Sequence, residues 1–243
     1  MTTKEILADK KKKETYVGGI FSSIAPVYDF LNTFFTFGRD RSWRKTAVKK
    51  MGLDSSGKAL DLATGTGELA LAIAKMCGPG VQVFGADFCQ EMLDRAAVKI
   101  KKKGLDSQIS LLLANAEELP FPDNSFDAAV IGFGLRNVAG IEKTFLEMSR
   151  VVKPGGRVVS LELTQPRGRL MRYLYAFYAG YFLPFVGSLV SRTQEPYQYL
   201  PDSIMRFYSP EELKVIMEKV GLTGVDFISL SGGVAHIHVG TKA

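Results

Sequence analysis

Cysteine and histidine are scarce in this sequence, which contains two of each among its 243 residues. Cys77 and Cys89 are too few for a disulfide framework or a structural zinc site, so we expect a reducing, cytoplasmic environment. His236 and His238 alternate along a predicted strand, without a cysteine or an acidic residue close by in the sequence. Because metal centres combine several such ligands, the sequence predicts no bound metal.

We also expect no signal peptide, and the sequence lacks an unbroken apolar run. Its N-terminus is too polar for a secretory signal. Residues 173–191 carry no charge over a length that could span a bilayer, but Gly180, Pro184 and four tyrosines interrupt their apolar character. We expect a helix that covers a ligand site or contacts a membrane surface, at the inner face of that membrane, and not one that spans it.

Positive charge is unevenly distributed along the chain. The formal net charge is +6, and much of the excess lies in the lysine run at 10–13 and in the basic stretch at 39–50. Such a run is usually a solvated surface, while anionic lipid or nucleic acid are the alternatives. The chain has neither an Asn-Pro-Pro-Tyr-like segment nor a Pro-Cys nucleophile, the features typical of nucleic-acid base methylation. We therefore expect no nucleic-acid partner.

Strand-like and helix-like segments alternate through the middle of the chain, which predicts an α/β fold with a doubly wound, parallel sheet. The strand-like runs are 58–63, 81–86, 108–113, 127–133 and 157–163; the helix-like runs are 68–77, 90–103 and 140–151. A helix at 210–220, with Ser209 as its N-cap, then precedes an antiparallel hairpin of strands 222–229 and 233–240. We expect one domain over residues 1–243, with a basic, disordered or loosely helical tail (1–15), a helical N-terminal cap (16–51) and a helical insertion (166–205).

The segment from Asp61 to Gly67 reads Asp-Leu-Ala-Thr-Gly-Thr-Gly and follows the first predicted strand. Gly65 and Gly67, followed by Ala70, fit the dinucleotide fingerprint, so a dehydrogenase stays open. Asp61 argues against it, because a carboxylate about 4 Å from a pyrophosphate charge costs roughly 4 kcal/mol at an effective dielectric of about 20. The sulfonium and ammonium of S-adenosylmethionine suit this acid, and Asp87 would accept hydrogen bonds from ribose hydroxyls.

Four predicted strands end in residues suited to ligand binding. In an open parallel sheet these carboxyl ends converge on one crevice, which would gather 65–67, Asp87, 115–116 and 132–137. Asn115 and Ala116 could read an adenine edge, or form an ordinary polar loop. Arg136 beside Asn137 offers a fork of donors to an anionic or quinoid oxygen, or forms a structural salt bridge.

Several runs of the sequence resemble the ubiquinone/menaquinone biosynthesis C-methyltransferases, a family of class I S-adenosylmethionine enzymes. The resemblance extends from about residue 15 to the end, and its more selective runs are Phe-Gly-Leu-Arg-Asn-Val at 133–138 and Tyr-Gln-Tyr-Leu-Pro-Asp-Ser-Ile at 197–204. It implies a mostly parallel, seven-stranded Rossmann-like fold. It also implies methyl transfer from S-adenosylmethionine to a ring carbon of a prenylated quinol, with demethylmenaquinol as the preferred acceptor and the ubiquinone-precursor benzoquinol as the alternative.

The resemblance and the strand-end pattern together assign candidate roles to particular residues. The cofactor-binding candidates are Asp61, Gly65, Thr66, Gly67, Asp87, Asn115, Ala116 and Gly132, the last through its backbone only. The catalytic candidates are Arg136, Tyr28 and His238, with Asp29 and Tyr199 also considered for proton handling; Asn137 and Tyr199 are the candidates for binding substrate. The insertion at 166–205 would bind the prenyl tail, and a homodimer is the assembly we consider.

Overall fold

The computed structural model describes residues 10–165 and 195–243. The helices in this part of the chain are α1 (Lys10–Ile24), α2 (Tyr28–Phe35), α3 (Arg39–Met51), α4 (Glu68–Cys77), α5 (Gln90–Lys102), α6 (Ile141–Val151), α7 (Glu195–Arg206) and α8 (Pro210–Lys219). The strands are β1 (Ser56–Leu62), β2 (Gly80–Asp87), β3 (Ile109–Leu113), β4 (Phe126–Gly132), β5 (Val152–Leu163), β6 (Leu222–Leu230) and β7 (Ala235–Lys242).

The described strands form one seven-stranded sheet in the order β3-β2-β1-β4-β5-β7-β6. Strands β1 to β5 are parallel, and β7 runs antiparallel to both β5 and β6. The order reverses between β1 and β4, and ligands of such sheets bind at the carboxyl ends of strands beside this switch point. The doubly wound sheet and the C-terminal hairpin are thus confirmed.

Two apolar cores, one on each face, hold the sheet between helices. One core joins α3, α4 and α5 to the sheet, while the other joins α6 and α8. Strand β1 contributes side chains to both cores, since Ala59 belongs to the first core and its neighbour Leu60 to the second. This alternation follows from the two-residue period of a strand, and it leaves the strand ends as the place where polar groups collect.

The N-terminal cap consists of three helices, of which α1 and α2 lie at the strand ends while α3 packs on a face of the sheet. Helix α1 begins at Lys10, within the segment expected to be a disordered or loosely helical tail, so residues 10–15 follow the helical alternative. Val17 and Ile20 of α1 pack with Tyr199 of α7. Ala25 packs with Met92 of α5. The cap is therefore joined to the sheet layer by apolar contacts.

Ser209 caps α8, as predicted. Its hydroxyl accepts from the Glu212 backbone N–H, and the Glu212 carboxylate accepts from the Ser209 backbone N–H, which satisfies two donors at the helix start. Of the predicted insertion, α7 is described, whereas residues 166–194 and the uncharged run within them lie outside the described residues. No helix of the described ranges combines the length and the apolarity that crossing a bilayer demands.

Candidate functional site

A cavity of about 870 Å³, open solvent at its mouth included, lies at the carboxyl ends of the central strands. Its walls come from the ends of β1, β2, β3 and β4, and from α1 and α2 of the cap. Seven of the predicted site residues line it: Tyr28, Gly65, Asp87, Asn115, Ala116, Gly132 and Asn137. The predicted convergence of four strand ends is therefore present in the structure.

The loop after β1 turns tightly into α4. Ala63, Gly65 and Gly67 all have positive φ, at 52°, 55° and 80°. Gly67 does not line the cavity, and a Cβ at this position would lie 3.1 Å from Cβ of Ala96 on α5. Gly67 thus serves helix packing, while Gly65 forms cavity wall beside Tyr28; the expectation that Gly67 contacts the cofactor has no support from its position.

Asp87, at the end of β2, holds this loop in place. Its Oδ2 accepts from the Gly65 backbone N–H at 2.7 Å, and its Oδ1 accepts from the Cys89 backbone N–H at 2.9 Å. Burial raises the pKa of this carboxyl, and the backbone donors oppose that shift. Each oxygen keeps a second lone pair, so Asp87 can hold the loop and also accept from a diol at the cavity wall.

Asp61 is buried directly beneath the loop and does not itself reach the cavity. Its Oδ2 accepts from the Thr64 hydroxyl at 2.6 Å, while its Oδ1 has no hydrogen-bond partner among the described residues. Burial raises the pKa of Asp61 to about 7, although the Thr64 hydroxyl, the Ala70 backbone N–H and the nearby Arg44 act in the opposite direction. In its ionised form, this buried acid stabilises a cation in the adjoining cavity and opposes a pyrophosphate.

Thr66 faces the helical cap instead of the cavity. Its hydroxyl donates to Oδ1 of Asp29 on α2 at 2.5 Å. The other oxygen of Asp29 accepts from Lys99 Nζ at 2.6 Å, and Lys99 also pairs with Glu68 at 2.7 Å. Asp29 is thus engaged in fastening the cap to the glycine loop, which speaks against proton handling by its carboxylate and against a side-chain contact from Thr66 to the cofactor.

Asn115 and Ala116 line the cavity after β3, together with Glu14 of α1. The Asn115 amide donates to Glu14 Oε1 at 3.3 Å, and its carbonyl oxygen accepts from the Glu117 backbone N–H at 2.9 Å. Helix α1 therefore reaches the place predicted for the adenine edge. Glu14 was missed because it sits in a lysine-rich run that we interpreted as a tail.

The loop after β4 approaches the loop after β1 very closely. Phe133 has φ 59°, a left-handed conformation that is strained for a bulky residue. A Cβ on the next residue, Gly134, would lie 2.4 Å from Cβ of Ala63. The sequence predicted that something approaches these glycines; for Gly134 the approaching group is the protein's own first loop.

Arg136 does not line the cavity. Its Nη1 pairs with Oε1 of the buried Glu162 on β5 at 2.5 Å and also donates to the Phe133 carbonyl at 2.8 Å. Burial alone would lower the pKa of Arg136, but the Glu162 carboxylate together with the nearby Tyr28 and Tyr199 raises it overall. The expected direct grip on a substrate oxygen is therefore corrected: this arginine forms the structural ion pair that we had kept as its alternative.

Asn137 lines the cavity and is held from behind by Tyr199 of α7. The Tyr199 hydroxyl donates to Asn137 Oδ1 at 3.0 Å, and Asn137 Nδ2 donates to the Phe133 carbonyl at 3.2 Å. Burial raises the pKa of Tyr199 to about 12. Tyr199 is absent from the cavity wall and stays protonated at neutral pH, so its position favours orienting Asn137 over direct substrate contact or proton transfer.

His238 is fully buried in β7, away from the cavity. Its Nε2 lies 2.9 Å from the Pro210 carbonyl, and an imidazole faces a carbonyl through a donated N–H. Burial lowers the pKa of His238 to about 4. The expected proton-transfer role is therefore corrected to that of a neutral strand histidine, which was the commoner alternative.

Apolar and aromatic side chains complete the wall and were missed by the sequence analysis. Phe21 of α1, and Phe88 and Met92 near the start of α5, line the same cavity as Asp87. Phe88 directly follows Asp87 at the end of a predicted strand, so its position could have predicted that it lines the cavity. Phe21 carried none, because an aromatic residue in an amphipathic helix usually belongs to a core.

The ubiE/COQ5 methyltransferase family model matches residues 9–242 of this chain. A ubiquinone/menaquinone biosynthesis C-methyltransferase UbiE from Geobacter sp. (strain M21) is 45% identical over 231 residues, which cover 95% of this chain and 98% of that protein. A demethylmenaquinone methyltransferase from Staphylococcus aureus (strain JH9) is 40% identical over 236 residues, which cover 97% of each chain.

Among solved structures, a SAM-dependent methyltransferase from Thermotoga maritima, described as a possible histamine N-methyltransferase, has a TM-score of 0.66 at 20% identity. The match covers 93% of this chain and 100% of that one. At this identity the likeness concerns the fold, which is that of the class I S-adenosylmethionine-dependent methyltransferases. The chain belongs to the ubiE/COQ5 methyltransferase family.

Proposed function

We propose that this protein transfers a methyl group from S-adenosylmethionine to a ring carbon of a prenylated quinol, with demethylmenaquinol as the acceptor, in menaquinone biosynthesis. The observation that carries the proposal is the family match along almost the whole chain. The cavity supports it, because Asp87 lines it at the end of β2, the buried Asp61 lies behind the loop after β1, and Phe133 and Asn137 line it after β4. In this proposal the whole chain acts as one methyltransferase domain.

The β1–β2 half of the cavity fits S-adenosylmethionine. When bound, that cofactor supplies an electrophilic methyl group on a positively charged sulfur. Asp61 favours its positive charge from beneath the loop, Asp87 accepts from the ribose hydroxyls, and Asn115 and Ala116 flank the adenine. A dinucleotide fits worse, because the unpaired oxygen of Asp61 would oppose its pyrophosphate.

The β4 half of the cavity would orient the quinol ring. Asn137 and the Tyr28 hydroxyl are the polar groups that we assign to the ring oxygens. The Arg136–Glu162 pair acts through them, since it holds the Phe133 carbonyl and thereby the loop that presents Asn137. Methyl transfer needs the ring carbon held about 3–3.5 Å from the methyl group, and apolar walls that exclude water favour loss of the sulfonium charge.

The test compares two acceptors with one purified protein. Reduced demethylmenaquinol and the demethylated benzoquinol precursor of ubiquinone, both with short tails, are incubated with S-adenosylmethionine, and products are identified by mass spectrometry. We expect one added methyl on the naphthoquinol. Methylation of the benzoquinol alone would shift the proposal to ubiquinone biosynthesis, and the absence of product from both would contradict it. The quinone pool of cells with and without the protein gives the same comparison in vivo.

A prenylated quinol is nearly insoluble in water, so we also propose that the protein works in the cytoplasm while touching the inner face of a membrane. The segment first expected to make this contact, 166–194, lies outside the described residues. A homodimer remains part of the proposal, and light scattering of the purified protein tests it.

A further inference from the structure

Three phenylalanine rings are exposed together on α2 and on the turn that leads into α3. Phe30, Phe34 and Phe37 are 59%, 39% and 79% exposed, which is far more than most aromatic residues of the described chain. The rings of Phe30 and Phe34 stack with centroids 5.7 Å apart. We call this surface the aromatic corner.

Phe37 makes the aromatic corner unusual for a second reason. Its φ is 51°, a left-handed conformation that glycine or asparagine adopts at much lower cost than a bulky residue. The ring gains little burial in return, because it is the most exposed large apolar side chain among the described residues. Strain combined with exposure of an apolar ring indicates that the ring is used by something outside the chain.

The charge around the aromatic corner is positive. Arg41, Lys45 and Lys49 follow one another at four-residue spacing on α3 and are exposed, so they form a basic stripe along one side of that helix. The two acids of α2 and α3 are both paired with cations: the partly exposed Asp29 pairs with Lys99, and the buried Asp40 pairs with Arg44. An anionic surface is therefore the complement of this face.

Helix α2 connects the corner to the cavity. Tyr28, at its first turn, lines the cavity, while Phe30 and Phe34 point to the surface. Eight residues of helix span about 12 Å. A molecule whose ring occupies the cavity can therefore have its tail close to whatever the corner contacts.

We propose that the aromatic corner docks the protein on an anionic lipid bilayer, with its rings in the interface and the basic stripe of α3 over the headgroups. The proposal rests on the proposed function in one respect, namely that the acceptor is a prenylated molecule dissolved in that bilayer. It assigns the membrane contact proposed above to named residues on α2 and α3.

A second copy of this chain fits the corner less well. A two-fold contact centred on this face would bring the basic stripes of both copies to one interface, where like charges repel. The three rings together expose on the order of 350 Å², whereas a stable dimer buries about 800 Å² on each partner. Insertion into lipid needs no matching protein surface, so charge and size both favour the bilayer.

The test measures co-sedimentation with vesicles of phosphatidylcholine, with and without phosphatidylglycerol. The parent should bind the anionic vesicles at low salt and weakly bind the neutral ones. The triple variant Arg41→Gln/Lys45→Gln/Lys49→Gln should lose about fivefold in partition coefficient per charge, or on the order of 100-fold. The matched control Lys101→Gln/Lys102→Gln/Lys103→Gln removes three exposed charges at the end of α5 and should bind nearly as the parent does.

A ring variant tests the apolar half of the proposal. Phe30→Gln/Phe37→Asn keeps Phe34, which is more buried, and places asparagine where φ is positive; its partition should fall about tenfold or more. Leu146→Gln, an exposed residue of α6 on the opposite face of the sheet, is the control and should change nothing. Thermal unfolding and binding of S-adenosylhomocysteine should match the parent in all variants, which separates docking from folding.

The outcomes separate docking from the proposed function. Both corner variants should methylate a short-tailed, soluble quinol at the parent rate and lose turnover of a long-tailed quinol in anionic vesicles. No binding of the parent at low salt, or binding by the variants equal to that of the parent, overturns the proposal. Loss of a dimer in the variants without vesicle binding by the parent also overturns it. If the vesicles are bound as expected but no quinol is methylated, the proposed function is contradicted and the proposed membrane contact is still supported.

Discussion

The loops after β1 and β4 are neighbours in the sheet and look alike in the backbone, yet they are held by different chemistry. Each turns through a residue other than glycine with positive φ, Ala63 in the first and Phe133 in the second. The first loop is held by its own short donors on surrounding carboxylates: the Gly65 N–H donates to Asp87, and the hydroxyls of Thr64 and Thr66 donate to Asp61 and Asp29. The second is held through its own longer side chains, namely Arg136, which pairs with Glu162, and Asn137, which accepts from Tyr199.

This difference matches the two halves of the cavity. The first loop must let a cofactor approach its backbone, so it needs small residues. The second must place particular groups against a second molecule, and a side-chain network fixes such groups while its members stay behind the wall. We infer that variants of the first loop change cofactor affinity, whereas variants of the second change turnover.

The largest effect is expected where the two loops touch. Gly134→Ala would place a methyl group 2.4 Å from Cβ of Ala63. Neither Cβ atom can move without its own backbone, so one of the two loops must move. Since Gly134 has φ −102°, the substitution adds no conformational strain of its own. Cofactor affinity and turnover should both collapse, measured by titration with S-adenosylhomocysteine and by methyl transfer. Gly19→Ala, with open space around its Cβ, should leave both intact; normal affinity in Gly134→Ala would mean that the loops are not coupled.

Sequence reasoning succeeded where the backbone pattern carries the information. Strand ends, the glycine turn and the Ser209 cap follow from periodicity and turn chemistry, which act locally. It failed for Arg136 and His238, because whether a polar side chain faces a cavity or a buried partner depends on which distant strand lies beside it. Glu162 is 26 residues from Arg136, and nothing in the motif around Arg136 identifies it.

Asp87→Ala sharpens the comparison for the first loop. It removes the acceptor of the Gly65 N–H and the expected ribose contacts, so affinity for S-adenosylhomocysteine should fall by roughly 2–4 kcal/mol. Turnover at saturating cofactor should fall much less. Asp127→Ala, which likewise frees a backbone donor, that of Lys58, lies away from the cavity and serves as control. Unchanged affinity with lower turnover would remove Asp87 from the cofactor site.

Arg136→Lys tests the second loop. Lysine keeps a charge for Glu162 but loses the planar fork that also reaches the Phe133 carbonyl. Turnover should fall about 10²-fold, a loss of the size seen when one positioned donor is removed, while cofactor affinity stays near that of the parent. Arg150→Lys, an arginine paired with Glu147 on α6, is the matched control. Equal losses of affinity and turnover in Arg136→Lys would contradict the inference that the second loop affects turnover and not cofactor affinity.

The raised pKa of Asp61 predicts that the free energy of unfolding depends on pH through the first loop. Its pKa of about 7 in the folded chain lies above that of an unfolded aspartate, so the folded state binds more protons between pH 4 and 7. Stability of the cofactor-free protein should therefore fall as pH rises through this window, by about 2–3 kcal/mol between pH 5 and 8. Because the low pKa of His238 acts in the opposite direction below pH 6.5, the measurement is the difference between parent and Asp61→Asn in urea unfolding; parallel curves would contradict the assignment.

Tyr199→Phe should give the smallest effect and distinguishes support from chemistry in the second loop. It removes one hydroxyl that donates to Asn137, which is worth about 1 kcal/mol and predicts a fivefold loss of turnover. With a pKa of about 12, Tyr199 stays protonated over the working range, so the pH–rate profile of the variant should keep the shape of the parent's. Tyr208→Phe, at an exposed tyrosine, is the control. A shifted profile would mean that Tyr199 exchanges a proton with the substrate. The side chains that hold the second loop would then take part in the reaction as well as position Asn137.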